Sequence, residues 1–263
     1  MSEPALSIRG VSVQFGGVKV LDGIDLDVAP GEIRGLIGPN GAGKTTLLNV
    51  ISGIHAPRRG EIRLDGVSIG GHKPSEIARR GLGRTFQTSK LFRGMTVLEN
   101  LMTGLHRRTV SGVFSSGFRL GRASCEEAAI ERAARDALDF VGMSAFADRY
   151  GTELSFGQQR VIEIARTLMS EPKVVLLDEP AVGLSLNRLE EFDRLLRRIR
   201  SEKGVTLILI EHVIRLVMDV CDRVTVMSSG RIIADGDPDS VRNDPGVVEA
   251  YLGKGLIARH SAS

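Results

Sequence analysis

The chain has 263 residues, 42% hydrophobic and 25% charged, with a formal net charge of +3. That is enough to bury a full core as one large α/β domain with room for a small subdomain, and it argues against disorder. No apolar run approaches the roughly 18 residues of a membrane span. Trp is absent, Tyr occurs only 2 times, and the basic pairs Arg79-Arg80, Arg107-Arg108 and Arg197-Arg198 are scattered, so no nucleic-acid partner is expected. Cys125 and Cys221 match no metal or redox spacing, and Met1 to Ser12 lacks a basic start leading into an apolar stretch. Both point to a reduced, cytoplasmic setting.

In chain order, Leu6 to Val28 alternates apolar and polar residues between glycine breaks, which predicts antiparallel strands. Glu32 to Ile37 reads as a short strand entering a glycine-rich turn, and Thr45 to Ser52 as a helix that Gly53 ends. Glu61 to Ser68, broken at Asp65-Gly66, reads as a hairpin. Lys73 to Arg149 is mostly helical in composition, with an irregular Gly/Ser-rich stretch from Ser111 to Gly121. A helix over Gln158 to Met169 places Val161, Ile164, Ala165 and Leu168 on one face. Pro172 stops it before the apolar strand Val174 to Leu177, the kind buried in a parallel sheet. A helix from Asn187 to Ser201 follows, with Asn187 and Glu190 spaced as a variant capping box. Then come a strand at Thr206 to Ile210, a helix at Val213 to Val220 and a hairpin from Arg223 to Ala234.

The strongest chemical pattern is Gly38-Pro39-Asn40-Gly41-Ala42-Gly43-Lys44-Thr45, followed by Thr46. It lies after a strand and opens a helix, as a phosphate-binding loop must. Glycines let consecutive N–H groups turn inward on an anion, and the helix start adds the positive end of its dipole. Lys44 supplies a mobile charge for the β- and γ-phosphates, and Thr45 a hydroxyl for Mg²⁺. A structural glycine turn is the plain alternative. A second pattern is the apolar run Val174-Val175-Leu176-Leu177 leading into Asp178-Glu179. Adjacent carboxylates at the end of a buried strand are costly unless they face a cation or water. Here Asp178 would hold the Mg²⁺ shell, and Glu179 would orient and deprotonate the attacking water.

The run Leu154-Ser155-Phe156-Gly157-Gln158-Gln159 at a helix start resembles the LSGGQ signature of the ABC ATPases. LLDEPAVGL and then IEH, ending in His212, follow at that family's spacing. The resemblance spans roughly Leu6 to Leu252. It implies a P-loop NTPase core with a mostly parallel sheet, an antiparallel β subdomain and a helical signature subdomain. The expected boundaries are about 6–86 and 160–240 for the core, 87–159 for the helical part and 241–263 for a C-terminal extension. It also implies Phe15 as the aromatic on adenine, and Gln87 as a Mg²⁺ contact that senses the membrane partner. Ser155, Gly157 and Gln158 are implied as γ-phosphate ligands, and His212 as the residue polarising that phosphate. Taken singly, Phe15 also fits a strand core position, Gln87 a solvated loop amide and His212 a neighbour of a helix cap.

Within that family RTFQTSKLFRGMTVLENL, LSFGQQRVIEIART, IEHVIRLVMDVCDRVTVM and VRNDPGVVEAYLG are similar to the ATP-binding subunits of branched-chain amino-acid importers. That resemblance implies ATP and Mg²⁺ as cofactors, integral membrane permeases as partners, and a peripheral place on the cytoplasmic face of the membrane. It also implies an indirect link to a solute-binding protein. With one P-loop and one signature per chain, a second cassette chain, the same or related, should complete each site head to tail. Phe156 replaces the first signature glycine, and Ser185 stands where Asn or Asp is usual. A lipopolysaccharide-export ATPase shares the motif order but lacks a segment like Arg107 to Gly121. A non-transport ABC ATPase would usually add a tandem domain or a long coiled coil.

Overall fold

The computed structural model describes residues 3–85, 91–105 and 120–252. The chain divides into two compact units: one from the described residues up to Arg84 together with those from Lys173 onward, the other from Thr85 to Pro172.

The first unit holds two sheets. β1 (Leu6–Phe15) and β2 (Val18–Val28) pair antiparallel, and β4 (Arg59–Leu64) and β5 (Val67–Ser68) extend them into a sheet of order β2-β1-β4-β5, with β3 (Ile33–Ile37) left to the other sheet. The second sheet runs β10-β9-β3-β8-β7-β6. Its strands are β6 (Leu82–Arg84), β7 (Val174–Asp178), β8 (Thr206–Ile210), β9 (Arg223–Ser228), β10 (Arg231–Gly236) and β3. All its pairings are parallel except the β9–β10 hairpin. β3, β7 and β8 are buried along their whole length, as expected of strands covered on both faces.

Helix α1 (Lys44–Ile51) brings Leu47, Leu48 and Ile51 into one apolar core with Leu6 and Ile8 of β1 and with Leu36, Leu176, Ile208 and Ile210 of the large sheet. Each such side chain contributes about 1.5–3 kcal/mol on burial, so the turn leaving β3 is held firmly at both ends. The unit is completed by α2 (Pro74–Arg79) and, in chain order after the second unit's helices, by α6 (Leu186–Lys203), α7 (Ile214–Val220), α8 (Pro238–Arg242) and α9 (Pro245–Leu252).

The second unit is helical: α3 (Val97–Met102), α4 (Leu120–Phe140) and α5 (Phe156–Leu168). Val97, Leu101, Ala134, Leu138, Ile162 and Ala165 form its core. A capping box at Thr96 and Glu99 starts α3.

Several elements differ from the sequence-based reading. β6 lies inside the stretch read as helical; three residues carry no periodicity, and their strand state comes from pairing with β7. α6 starts at Leu186 with Ser185 at its N-cap and no side-chain capping bond, so Asn187 and Glu190 form no box. On α5 the buried set is Arg160, Ile162, Glu163, Ile164 and Ala165, while Val161 and Leu168 are half-buried. The face is rotated because Arg160 and Glu163 are buried as an ion pair of 3.0 Å. The second unit also runs on to Pro172, beyond the boundary expected at 159, because Ile162, Ala165 and Met169 belong to its core. α8 and α9 were not anticipated; Asp237 caps α8 by accepting the Ser240 amide at 2.9 Å.

Candidate functional site

The loop from Gly38 to Gly43 joins β3 to α1. Gly38 has φ 147, and a Cβ there would run into the Met227 carbonyl oxygen. Gly43 is the N-cap of α1 with φ 102, and a Cβ on it would sit 2.8 Å from Leu21 Cδ2. Both positions therefore exclude side chains by conformation and by space. No side chain caps α1; the first amides of a helix have no partner within it, so these face whatever the loop encloses. Gly41 and Asn40 lie on the exposed rim, Pro39 is half-buried and Ala42 is buried.

Lys44 is buried and donates to the carbonyls of Gly38 at 2.6 Å and Pro39 at 3.0 Å. Burial pushes its ammonium below the usual lysine range, and the charges of Glu179 and Asp178 pull it back up. A desolvated cation of this kind gains from meeting an anion. Thr45 is exposed and Thr46 half-buried in the first turn of α1.

Asp178 ends β7 and is 4% exposed. Its Oδ2 lies 3.3 Å from Arg84 Nη2, and Arg84 Nη1 donates to Ser52 Oγ at 2.7 Å. Arg84 thus joins the end of α1 to the ends of β6 and β7. Burial lowers its pKa, and the charge and hydrogen bond of Asp178 oppose that.

Glu179 follows with φ 49, a left-handed conformation that costs a residue with a side chain about 1 kcal/mol or more. Its amide donates to the Ile210 carbonyl at 2.9 Å. His212 Nε2 lies 2.8 Å from Glu179 Oε1; with the carboxylate ionised, the imidazole is the donor. The turns after β7 and β8 thus bring together two residues read separately from the sequence.

Phe15 ends β1 with its ring largely exposed and meets His55 edge-on, centroids 5.1 Å apart at 69°. In the second unit, Ser155 is the N-cap of α5. Its Oγ accepts the Gln158 amide at 3.4 Å, while Gln158 Oε1 accepts the Ser155 amide at 2.9 Å. Gly157 lies in that first turn, and the exposed Phe156 ring carries the Arg160 guanidinium at 5.3 Å. Gln87 and the residues 106–119 lie outside the described residues.

Two charged residues at the site were assigned no role from the sequence, Arg84 and Glu211. A signal for Glu211 was present: like Asp178, it is an acid that directly follows an apolar run, here Leu207 to Ile210. Arg84 carried none, since its partners Ser52 and Asp178 lie far off in the chain.

Among the described residues no cluster of three His, Cys, Asp or Glu side chains could hold a metal by itself. That suits Mg²⁺, which takes one or two protein oxygens and completes its octahedron with phosphates and water. The buried Asp178 carboxylate and the Thr45 hydroxyl are a donor set of that size and hardness. Among the described residues, no helix is long and apolar enough to cross a membrane.

A glycine loop around a desolvated lysine, beside a strand-end carboxylate pair on a parallel sheet, defines a P-loop nucleotide hydrolase. The family model described as ABC transporter matches residues 21–182, and one described as branched-chain amino acid ATP-binding cassette transporter matches residues 231–256. The high-affinity branched-chain amino acid transport ATP-binding protein LivG of Escherichia coli (strain K12) is 42% identical, over 97% of this chain and all of its own. The crystal structure of a nucleotide-free ATP-binding cassette from an ABC transporter superposes with TM-score 0.83 at 34% identity, covering 96% of this chain and 100% of that one. The ATP-binding cassette MJ0796, in a dimeric post-hydrolysis state bound to ADP and Pi, matches with TM-score 0.73 at 26% identity, over 89% of this chain and 98% of its own. The chain belongs to the ABC transporter family, as an ATP-hydrolysing subunit of a transporter.

Proposed function

We propose that this chain powers the uptake of branched-chain amino acids or closely related small solutes, working at the cytoplasmic face of the membrane against integral permease subunits. The solute class rests on the C-terminal match at residues 231–256 and on the full-length likeness to LivG. Import by this route implies a solute-binding protein upstream of the permeases.

The observation that carries the chemical part is the Glu179–His212 contact of 2.8 Å at the strand ends whose charges act on Lys44. Phe15 offers a ring face to adenine. The amides from Gly38 to Thr46 and the Lys44 ammonium take the phosphates, Lys44 exchanging the carbonyls of Gly38 and Pro39 for phosphate oxygens. Thr45 and Asp178 hold Mg²⁺, with Gln87 as a further contact. Bound there, the ion neutralises charge on the phosphate oxygens. Glu179 orients the attacking water and takes its proton. His212 turns its N–H from Glu179 to the γ-phosphate, which frees the carboxylate oxygen for that water. Fixed dipoles already in place account for most of the stabilisation in such a reaction.

The γ-phosphate needs a second positive pole, and the start of α5 with Ser155, Gly157 and Gln158 supplies it from a second cassette chain, the same or related. A Lys44→Ala chain mixed with a Ser155→Arg chain, each inactive alone, should recover partial ATPase activity, because both lesions fall on one of the two sites. For the solute, cells lacking this chain should lose uptake of radiolabelled leucine, isoleucine or valine and regain it with the wild-type chain but not with Glu179→Gln. Unchanged uptake of all three would overturn the branched-chain assignment and leave only the related small solutes.

A further inference from the structure

Glu211 is 1% exposed, between the end of β8 and His212. Its Oε1 accepts the Ala181 amide at 2.5 Å, and its Oε2 accepts the amides of His212 at 3.1 Å and Val213 at 3.4 Å. Ala181 stands two residues after Glu179, in the turn that leaves β7. One carboxylate therefore gathers backbone donors from both turns that carry the Glu179–His212 contact. The Glu179 amide on the Ile210 carbonyl adds a second link between the same turns.

A buried carboxylate is an expensive way to fill that space. Burial pushes the Glu211 carboxyl above its usual range, and the like charge of Glu179 pushes the same way, while the three amides oppose them. An apolar side chain would avoid that cost but would strand three amide donors in two turns, each a loss comparable to a missing hydrogen bond. The conformation so held is itself strained, since Glu179 lies in the left-handed region. Backbone strain persists only where surrounding contacts over-determine it.

We propose that Glu211 is a positioning residue for ATP hydrolysis: its carboxylate clamps the turn after β7 to the turn after β8, and so sets the His212 imidazole against Glu179. This rests on the reading of Glu179 as the base and His212 as the γ-phosphate contact. Glu211 touches neither nucleotide nor water in that reading; it acts through the backbone of residues that do. The P-loop shares none of its hydrogen bonds, so nucleotide affinity and turnover should separate when it is changed.

The test uses the full-length chain with Glu211→Gln, Glu211→Asp and Glu179→Gln. The amide in Glu211→Gln keeps one acceptor oxygen but turns an NH₂ toward backbone N–H groups; Glu211→Asp keeps the charge but falls short by a methylene. Displacement of catalytic groups by about 1 Å costs up to about 100-fold in rate, so kcat should fall roughly 10- to 100-fold in Glu211→Gln. KM for ATP and calorimetric ATP affinity should stay within about twofold of wild type, with one ATP bound per chain as in wild type, so that the lost turnover is not an unfolded fraction. Glu211→Asp should show the same split with a smaller fall in kcat, and it carries the test if Glu211→Gln does not fold. Wild-type kcat in both variants, or parallel loss of kcat and ATP affinity, would overturn the proposal. If Glu179→Gln still hydrolyses ATP at the wild-type rate, the base assignment is what fails. If Glu179→Gln is inactive and both Glu211 variants are normal, only the positioning role falls.

Discussion

Helix α1 begins at a left-handed Gly43 with no side chain on its first amides, whereas α5 begins at Ser155 inside a closed capping box with Gln158. Both are helix starts in sequence patterns read as phosphate contacts, yet they are built on opposite terms. At α1 the orphan amides, the dipole and a buried Lys44 are all directed at the loop interior. Around it the polar groups compensate one another, with the buried Arg84 on Asp178 and the His212 imidazole hydrogen-bonded to Glu179. At α5 the amide that would greet an anion is already bonded to Ser155 Oγ, and the neighbouring ring of Phe156 is exposed. The first is a site made ready by the fold; the second is a helix end at rest that must trade a cap for a ligand. That contrast suits a first site that binds nucleotide by itself and a second that joins only once a γ-phosphate is presented.

The largest effect expected belongs to the prepared site. Glu179→Gln removes the proposed proton acceptor while leaving the size of the group and the P-loop unchanged. A general base is worth about 10²- to 10⁴-fold in rate, so kcat should fall by that much while ATP affinity holds, as read by single-turnover hydrolysis and calorimetry. Retention of more than a tenth of the activity would mean that readiness at this strand end serves binding alone.

Next in size is Lys44→Ala. A hydrogen bond to a charged group is worth about 1.5–3 kcal/mol, which corresponds to a loss of ATP affinity of roughly 10- to 100-fold. The comparison sharpens if the same experiment is run on AMP, which offers no β- or γ-phosphate to Lys44. Its affinity should respond far less to the change. An equal loss for both nucleotides would assign Lys44 to holding the loop's shape through the Gly38 and Pro39 carbonyls instead.

Which of these features could be read from residues alone follows from how local each one is. The loop from Gly38 to Thr45 is contiguous, and its glycines, lysine and helix start explain one another without any distant partner. The strands Val174–Asp178 and Thr206–Ile210 are legible because burial on both faces makes every residue but Asp178 and Thr206 apolar. β6 was not, since its three residues become a strand only beside β7. The face of α5 was misplaced because Arg160 and Glu163 count as polar in any periodicity, and only their pairing lets them be buried. Arg84 escaped because its meaning lies in Ser52 and Asp178, which sequence distance hides; Glu211 stood after an apolar run, but its partner Ala181 lies 30 residues off. The Glu179–His212 contact required the parallel register of β7 and β8, which sets Asp178 opposite Ile210.

The smallest effect expected is at Ser155, and it bears most directly on the contrast between the two helix starts. Ser155→Ala removes the acceptor on the Gln158 amide, and loss of a side-chain N-cap costs about 1 kcal/mol. Chemical unfolding should detect that, but turnover would fall as well, so the variant alone cannot tell a cap from a phosphate ligand. Ser155→Asp can. Aspartate caps a helix about as well as serine and suits the positive end of the dipole, so stability should match wild type to within a few tenths of a kcal/mol. The same carboxylate would repel a γ-phosphate brought to that helix start and cannot donate the hydroxyl hydrogen bond that serine offers. ATPase activity should therefore drop in Ser155→Asp at least as far as in Ser155→Ala, although one variant is stable and the other weakened. If Ser155→Asp were both stable and fully active, Ser155 would be a cap and nothing more, and the second pole of the site would have to be sought elsewhere.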